Sequence, residues 1–488
     1  MTRTFLTTLL FACAGCGGDV ELGGGPSTGG SSSGGAGGAL GGTGGAASGG
    51  GGSATGGGAG AGASGGTAPV ACSGLKRTGD PIPISNNDEA AFPSLVRVKA
   101  GAAVVYRHPS PSPSPGFELL FPVWTDPWAG AWSPPAPSSA SITGLSNVYE
   151  HTFQAAEGAA AGSVVVLHSS VDNTCMTLSR AVPKLETLAG LGCPPPMFTH
   201  GPNPAALVAV PTSSAGETYL AASATGYGGL IPTNYQLNVA RVAVPSSGAP
   251  GTVTSMFDAL GCATAPMFAR AWRSPTAGAV MALTNSRPFL SCLEDLYADG
   301  PPNRLQIVGF GPGGDVTKVQ LLHELVLPHA VLSLAVAPRS DGGAWVVFQA
   351  ATGASSTSPP GPIQALALDA SGKPATSIKS VVVAPTGLGP SEPASYAATA
   401  LGNRLVVAGS WASAECKETW CPGLRIHVVD ESTPDNAPPM LVAFPSSAMI
   451  SSPISLLASS DGASLIATYS DWTGNPTDVW AERFECVP

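Results

Sequence analysis

Three tryptophans stand four residues apart in VWTDPWAGAWSPP: Trp124, Trp128 and Trp132, with Asp126 between the first two. Indoles on a Pro-rich loop can form a stacking platform for sugar rings or a peptide. Trp joins a large apolar face to a polar N–H and is frequent at binding hot spots. The competing reading is packing: large aromatics usually bury, and these would then staple a long loop onto the first two repeat units. Packing is the preferred reading, and the four residues are kept as binding candidates. Asp126 has no second carboxylate nearby in sequence, so the carboxylate pair of glycoside hydrolysis is not indicated.

Other chemical signatures fail on context. GFGPGGD at Gly309–Asp315 contains GxGxxG, but a dinucleotide fingerprint must open a helix, and here Pro312 and Gly313 mark a turn followed by VTKVQLL, which reads as strand. HELVLPH places His323 and His329 on either side of Pro328, so the two imidazoles cannot share a helix face as zinc requires, and a surface loop is expected. GASGG around Ser64 matches GxSxG, yet no buried strand can precede it and no helix can follow. His108, His151, His168, His200 and His427 are isolated in sequence, although His108 and His168 end equivalent strands. No catalytic residue, metal site or cofactor is assigned.

The elements that must position any site are β-strands. Only 11% of the 488 residues are charged and 43% are hydrophobic, with 63 Gly and 47 Pro, which favours short strands and many turns. The net charge is −10 with 21 Lys and Arg spread thinly, so no basic stripe exists to follow a nucleic acid backbone. A unit then recurs: a short strand of small and apolar residues, a turn glycine, and an apolar strand. Aligned on the glycine, the units start at Gly101, Gly162, Gly216, Gly278, Gly342, Gly402 and Gly462, spaced 54 to 64 residues apart. The clearest is RSDGGAWVVFQ at Arg339–Gln349. A third strand often follows, as in IQALALDASGKP or LRIHVVDES, and segments such as SIKSVVVAP or PMLVAFP can supply a fourth.

Four antiparallel strands in a unit of about 60 residues, repeated seven times, describe an all-β, seven-bladed β-propeller over residues 71–488. Two β-sandwich domains are the alternative, but they do not require a sustained period. Ala, Ser and Leu in the first strand of each unit suit a crowded axis. SDGGAW at Ser340–Trp345 is similar to the aspartate-containing turns of sialidase-type propellers and, with its Gly pair and Trp, to kelch repeats. The terminal Thr-Trp pair is absent and six units lack the Gly-Gly-Trp combination, so a hairpin turn with Asp341 capping its own backbone accounts for it.

After Gly462 only three strands fit, so the piece CSGLKRTGDPIPIS is expected to supply the outer strand of the seventh blade. Cys72 and Cys486 would then meet in a disulfide. The remaining candidates are local pairs: Cys175 with Cys193, Cys262 with Cys292, and Cys416 with Cys421.

The first residues, with Arg3, an apolar run from Phe5 to Ala12 and then CAGCGG, form a secretion signal too short to span a bilayer. This run resembles a bacterial lipoprotein signal, which implies a signal peptide over 1–15 and lipidation of Cys16, with Cys13 the other candidate. Lipidation at Cys16 leaves eight cysteines, an even number suited to an oxidising compartment. An ordinary secretory signal is the alternative. Residues 16–70 are almost wholly Gly, Ser, Ala and Thr. Such a segment cannot bury enough apolar area to order itself, and it would reach about 40 Å as a flexible linker. The expected protein is a monomer at the outer membrane or cell surface, touching membrane only through its lipid. It would bind a protein or glycan without catalysis and would not bind nucleic acid. The alternative is a hydrolase or lyase acting on extracellular polysaccharide at the channel mouth.

Overall fold

The computed structural model describes residues 72–85, 89–99, 101–110, 116–129, 131–145, 153–169, 175–192, 200–211, 216–227, 234–261, 268–284, 303–353, 359–382, 395–410, 424–443, 450–471 and 477–487. The lipidation candidate Cys16, the linker, and Cys193, Cys262, Cys292, Cys416 and Cys421 lie outside them. Among the described residues every regular element is a strand, and the strands form seven antiparallel sheets, the blades of a β-propeller.

Blade five shows the unit. Its strands are Val331–Pro338, Ala344–Ala351, Pro360–Leu368 and Lys379–Val382, paired in that order from the axis outward. The second strand, AWVVFQAA, is buried on both sides. Successive side chains of a strand point to opposite faces. Ala344, Val346 and Phe348 therefore pack toward blade four, while Trp345 and Val347 pack toward blade six. A strand covered on both faces can be apolar throughout, which is why AAVVY, VVVL, AVMAL, LVVA and LIATY read as continuous runs. Seven apolar clusters result, one at each blade-to-blade contact around the ring.

The turn glycines have two different reasons to be glycine. Gly278 takes φ 72°, in the left-handed region, and a Cβ there would lie 2.0 Å from the Gly311 carbonyl oxygen. At Gly101 the positive φ belongs to Lys99 instead (52°), and the glycine is required because a Cβ would lie 2.0 Å from the Trp124 carbonyl oxygen.

Closure follows the expected route. Gly74–Arg77 pairs antiparallel with the last strand, Asp478–Val487, as the outer strand of blade seven. Cys72 and Cys486 form a disulfide with their Cα atoms 5.0 Å apart. Arg77 Nε stands 3.4 Å from the buried Glu482 carboxylate on the neighbouring strand, and Arg404 Nη1 donates to the Cys72 carbonyl at 2.6 Å from blade six. Cys175 is disulfide-bonded too.

The motif segments resolve in the same frame. GFGPGGD is the hairpin between the third and fourth strands of blade four, Asn303–Gly309 and Gln320–Leu327, so strand resumes only at Gln320 rather than at once after the turn. His323 and Glu324 lie within that outer strand and not in a loop: QLLHELVL pairs along its length with Asn303–Gly309, and His329 follows beyond its end. Asp341 Oδ1 accepts the Gly343 N–H at 3.0 Å, the turn cap expected of it.

Candidate functional site

The inner strands of the blades face the axis, and their small residues leave a cavity of about 310 Å³ there. Six blades line it: Phe92, Pro93 and Ser94 from the first, Phe153 and Gln154 from the second, Arg270 from the fourth, Leu334 to Val336 from the fifth, Tyr396 to Ala398 from the sixth, and Ile454 to Leu456 from the seventh. The volume is at the lower end of the range for small-molecule pockets.

Arg270 is the only charged side chain among the described residues that line the cavity. It is the second residue of the inner strand ARAWRS, and its Nη1 donates to the carbonyls of Ala205 in blade three (2.9 Å) and of Ala269 (2.8 Å). Those two bonds hold one edge of the guanidinium against the wall. On blade six, Tyr396 is tied into its surroundings: its hydroxyl accepts from Ser333 Oγ at 3.1 Å and donates to the Val347 carbonyl at 3.3 Å. Burial pushes the Tyr396 phenol well above its ordinary range, against smaller opposing pulls from the Ser333 bond and the Arg270 charge, so it stays protonated at neutral pH.

Blade one contributes a strained aromatic. Phe92 has φ 58°, a left-handed conformation costly for a bulky residue, and its N–H donates to Ser470 Oγ of blade seven at 3.2 Å. The Arg107 guanidinium carbon lies 4.8 Å from the centre of the Phe92 ring and 4.5 Å from that of Phe117. Next to it, Ser455 Oγ accepts the Leu95 N–H at 2.9 Å, which ties blades one and seven together inside the channel.

The hairpin end of the channel is more heavily charged. Arg97 donates through Nη2 to the Ala458 carbonyl. The charges of Glu157 and Asp461 act on Arg97, and those of Arg97 and Arg273 act on Glu157.

The tryptophan loop lies elsewhere. Trp124 is 5% exposed, donates its indole N–H to the Ser133 carbonyl at 2.9 Å, and stacks on Trp132 with ring centroids 5.4 Å apart. Trp128 and Trp132 are half-buried and pack into the cluster between blades one and seven. The staple therefore joins the first blade to the last, and not to the second. Arg483 of the closing strand supplies the clamp, with its guanidinium carbon 5.6 Å from the Trp132 ring centre and Nη1 donating to the Pro127 carbonyl at 3.2 Å. Asp126 is exposed and accepts the Ala129 N–H at 3.1 Å, as a turn cap does. The loop and the channel do not share a residue.

Several histidines are also placed. His108 Nδ1 sits 3.2 Å from Glu118. His168 is buried between the Ser169 carbonyl and the Ser179 hydroxyl. His427 has its pKa lowered to about 4, chiefly by burial and further by the Arg425 charge, so it is neutral. No group of three metal-ligating side chains occurs among the described residues.

Reading motifs along the chain does not find Phe92, Gln154, Arg270 or Tyr396. One local signal is present: ARAWRS puts an arginine at an inner-strand position where the other units carry an uncharged residue.

No protein family matches the chain, and no curated protein resembles it in sequence. Solved structures similar to it include a protein of unknown function from Dyadobacter fermentans, at 12% identity and TM-score 0.43, covering 85% of this chain and all (100%) of that one. The polysaccharide lyase Uly1 is 8% identical at TM-score 0.46, with 81% and 90% covered. An α-L-arabinanase from Penicillium chrysogenum complexed with arabinobiose is 9% identical at TM-score 0.43, with 84% and 99% covered. Likeness at this level assigns no activity, and the chemistry has to be read from the channel itself.

Proposed function

We propose that this chain is a binding protein that takes a small ligand, or the end of a larger one, into the propeller channel. In this reading Cys16 carries a lipid and residues 16–70 display the body at the cell surface. The observation that carries the proposal is the axial cavity, built jointly by six blades and walled largely by Ala, Ser, Leu, Val, Ile and Phe. A wall of small and apolar side chains with a few polar groups selects by shape and orientation. Tyr396 is held protonated, which suits a fixed wall and not a base.

The second reading, a hydrolase or lyase acting on polysaccharide at the channel mouth, is favoured by one feature, the presence of Arg270 and Tyr396 in the same cavity.

The full chain applied to a glycan array tests the first reading, with Ala335→Leu and Ala397→Leu made separately to fill the cavity from different blades. Binding should weaken at least tenfold in both variants while circular dichroism stays that of the wild type. Binding unchanged by both substitutions would remove the channel from the account, and release of reducing or unsaturated sugar ends by the wild type would favour the enzyme. The Cys16→Ser chain should leave the membrane fraction; if it stays there, the lipid assignment is wrong.

A further inference from the structure

The cavity also indicates a class of ligand, an inference that rests on the channel being the binding site. We propose that the ligand is neutral and hydroxylated, as a sugar ring is, and that Ser94, Gln154 and Ser455 read its hydroxyl groups.

Three neutral groups at the wall have hydrogen-bonding capacity to spare. Ser455 Oγ, on the inner strand of blade seven, accepts the Leu95 N–H at 2.9 Å, while its own O–H has no acceptor among the described residues. That bond sets the hydroxyl against the Ser94–Leu95 peptide of blade one. The half-buried Ser94 hydroxyl and Gln154 amide make no hydrogen bond among the described residues. Gln154 lies on the inner strand of blade two, Phe153–Glu157, so the three groups come from consecutive blades and give the channel one polar side.

Their chemistry fits hydroxyl groups. A serine O–H can donate and accept, and a carboxamide offers a carbonyl oxygen and two N–H donors. A sugar hydroxyl also donates and accepts, so it can pair with any of the three and replace the bonds of the water it displaces. An apolar ligand would leave the same groups desolvated and unpaired. Ala335, Ala397 and Ala398, on the inner strands of blades five and six, leave room within the cavity of about 310 Å³ and bring no polar side chain of their own.

Charge decides against an ionic ligand. Arg270 is the only charged side chain among the described residues of the wall, and it is committed: Nη1 donates to the Ala205 and Ala269 carbonyls, and the residue has further interactions besides. An ammonium would meet no carboxylate in this wall. A carboxylate would meet a guanidinium already bonded to the protein. Either would shed its water for too little in return, whereas a neutral hydroxyl recovers what it loses.

Isothermal titration of the full chain tests the class, using D-glucose, D-galactose and D-mannose, each against its uronate and its 2-amino-2-deoxy analogue. At least one neutral hexose should bind, and about tenfold or more tightly than both of its charged analogues. Its affinity should be the same at low and high salt, because no charge takes part. Both readouts use the wild type and need no variant to fold. Gln154→Leu and Ser94→Ala should each weaken the binding about 3- to 10-fold, the range of one neutral hydrogen bond. A charged analogue binding as tightly as its hexose, an affinity that falls with salt, binding unchanged by both substitutions, or no binding of any hexose would each overturn the proposal. If no hexose binds while a ligand from the glycan array is still lost in Ala397→Leu, the neutral class fails and the channel stands. If Ala397→Leu leaves hexose binding unchanged, the channel itself is wrong.

Discussion

Blade five has four strands, and blade seven has the same four positions with its outermost filled by two short segments, Gly74–Arg77 and Ile82–Pro83; the two blades are tied differently. Blade five is one continuous stretch, Val331 to Val382, and its second strand divides Trp345, Val346, Val347 and Phe348 between two apolar clusters. Blade seven takes its outer strand from the other end of the chain, with Cys72 and Cys486 separated by 414 residues. Bringing such distant ends together costs more loop-closure entropy than folding a local hairpin. The seam carries fastenings that blade five lacks: the disulfide, the Arg77–Glu482 pair, the Arg404 bond to Cys72, and the Trp124–Trp132 loop clamped under Arg483. Blade five has polar ties of its own, such as Trp345 to the Asn403 carbonyl and Lys379 to the Thr433 carbonyl, so what sets the closing blade apart is the covalent bond between the two ends of the chain.

The largest test of that contrast is Trp345→Ala. Trp345 is fully buried and its indole N–H donates to the Asn403 carbonyl at 2.8 Å. Loss of the ring should cost about 3–5 kcal/mol in urea unfolding, with the seam disulfide intact; a cost below about 1 kcal/mol would deny blade five its dependence on packing.

Next comes Cys72→Ser with Cys486→Ser. Removing this crosslink should cost about 2–5 kcal/mol, mostly through the unfolded chain. Hydrogen exchange should speed up in Gly74–Arg77 while the blade five amides keep their protection relative to the global stability. If both blades lost protection alike, the seam would not be a separate weak point.

The smallest effect is a pH slope. Burial raises the Glu482 pKa, with smaller lowering effects from the Tyr469 hydrogen bond and the Arg77 charge. The folded state therefore holds this proton to higher pH than the unfolded chain does. Stability falls as pH rises from the ordinary glutamate value of about 4.3 through the raised one, by no more than about 1.4 kcal/mol per unit. Glu482→Gln should remove that part of the slope, and an unchanged profile from pH titration of unfolding would show that Glu482 does not titrate there.

Much of the scaffold could be read along the chain because its rules are local. The glycine before each second strand, the unbroken apolar run after it and the shortage of strands after Gly462 depend on neighbours within one unit, and they led directly to the blades and to the Cys72–Cys486 closure. HELVLPH was harder. Pro328 and the polar His323 and Glu324 suggest a loop, yet an outer strand with one solvated face accepts polar residues, and pairing with Asn303–Gly309 decides the matter.

The candidate site was hidden for the opposite reason. Phe92, Gln154, Arg270, Tyr396 and Ser455 each stand alone in sequence, and none belongs to a motif. They meet because a ring turns successive inner strands toward one axis, so residues more than 360 positions apart share a wall. The tryptophan loop shows the same limit, since spacing shows that Trp124, Trp128 and Trp132 can pack, while only the closed ring brings blade seven and Arg483 to them. By itself the sequence determined the repeat, the strand order and the closing bond, because these follow from local pattern and from the need to pair an edge. Only the tertiary structure decided which side chains face one another across the axis, because that follows from the curvature of the whole ring.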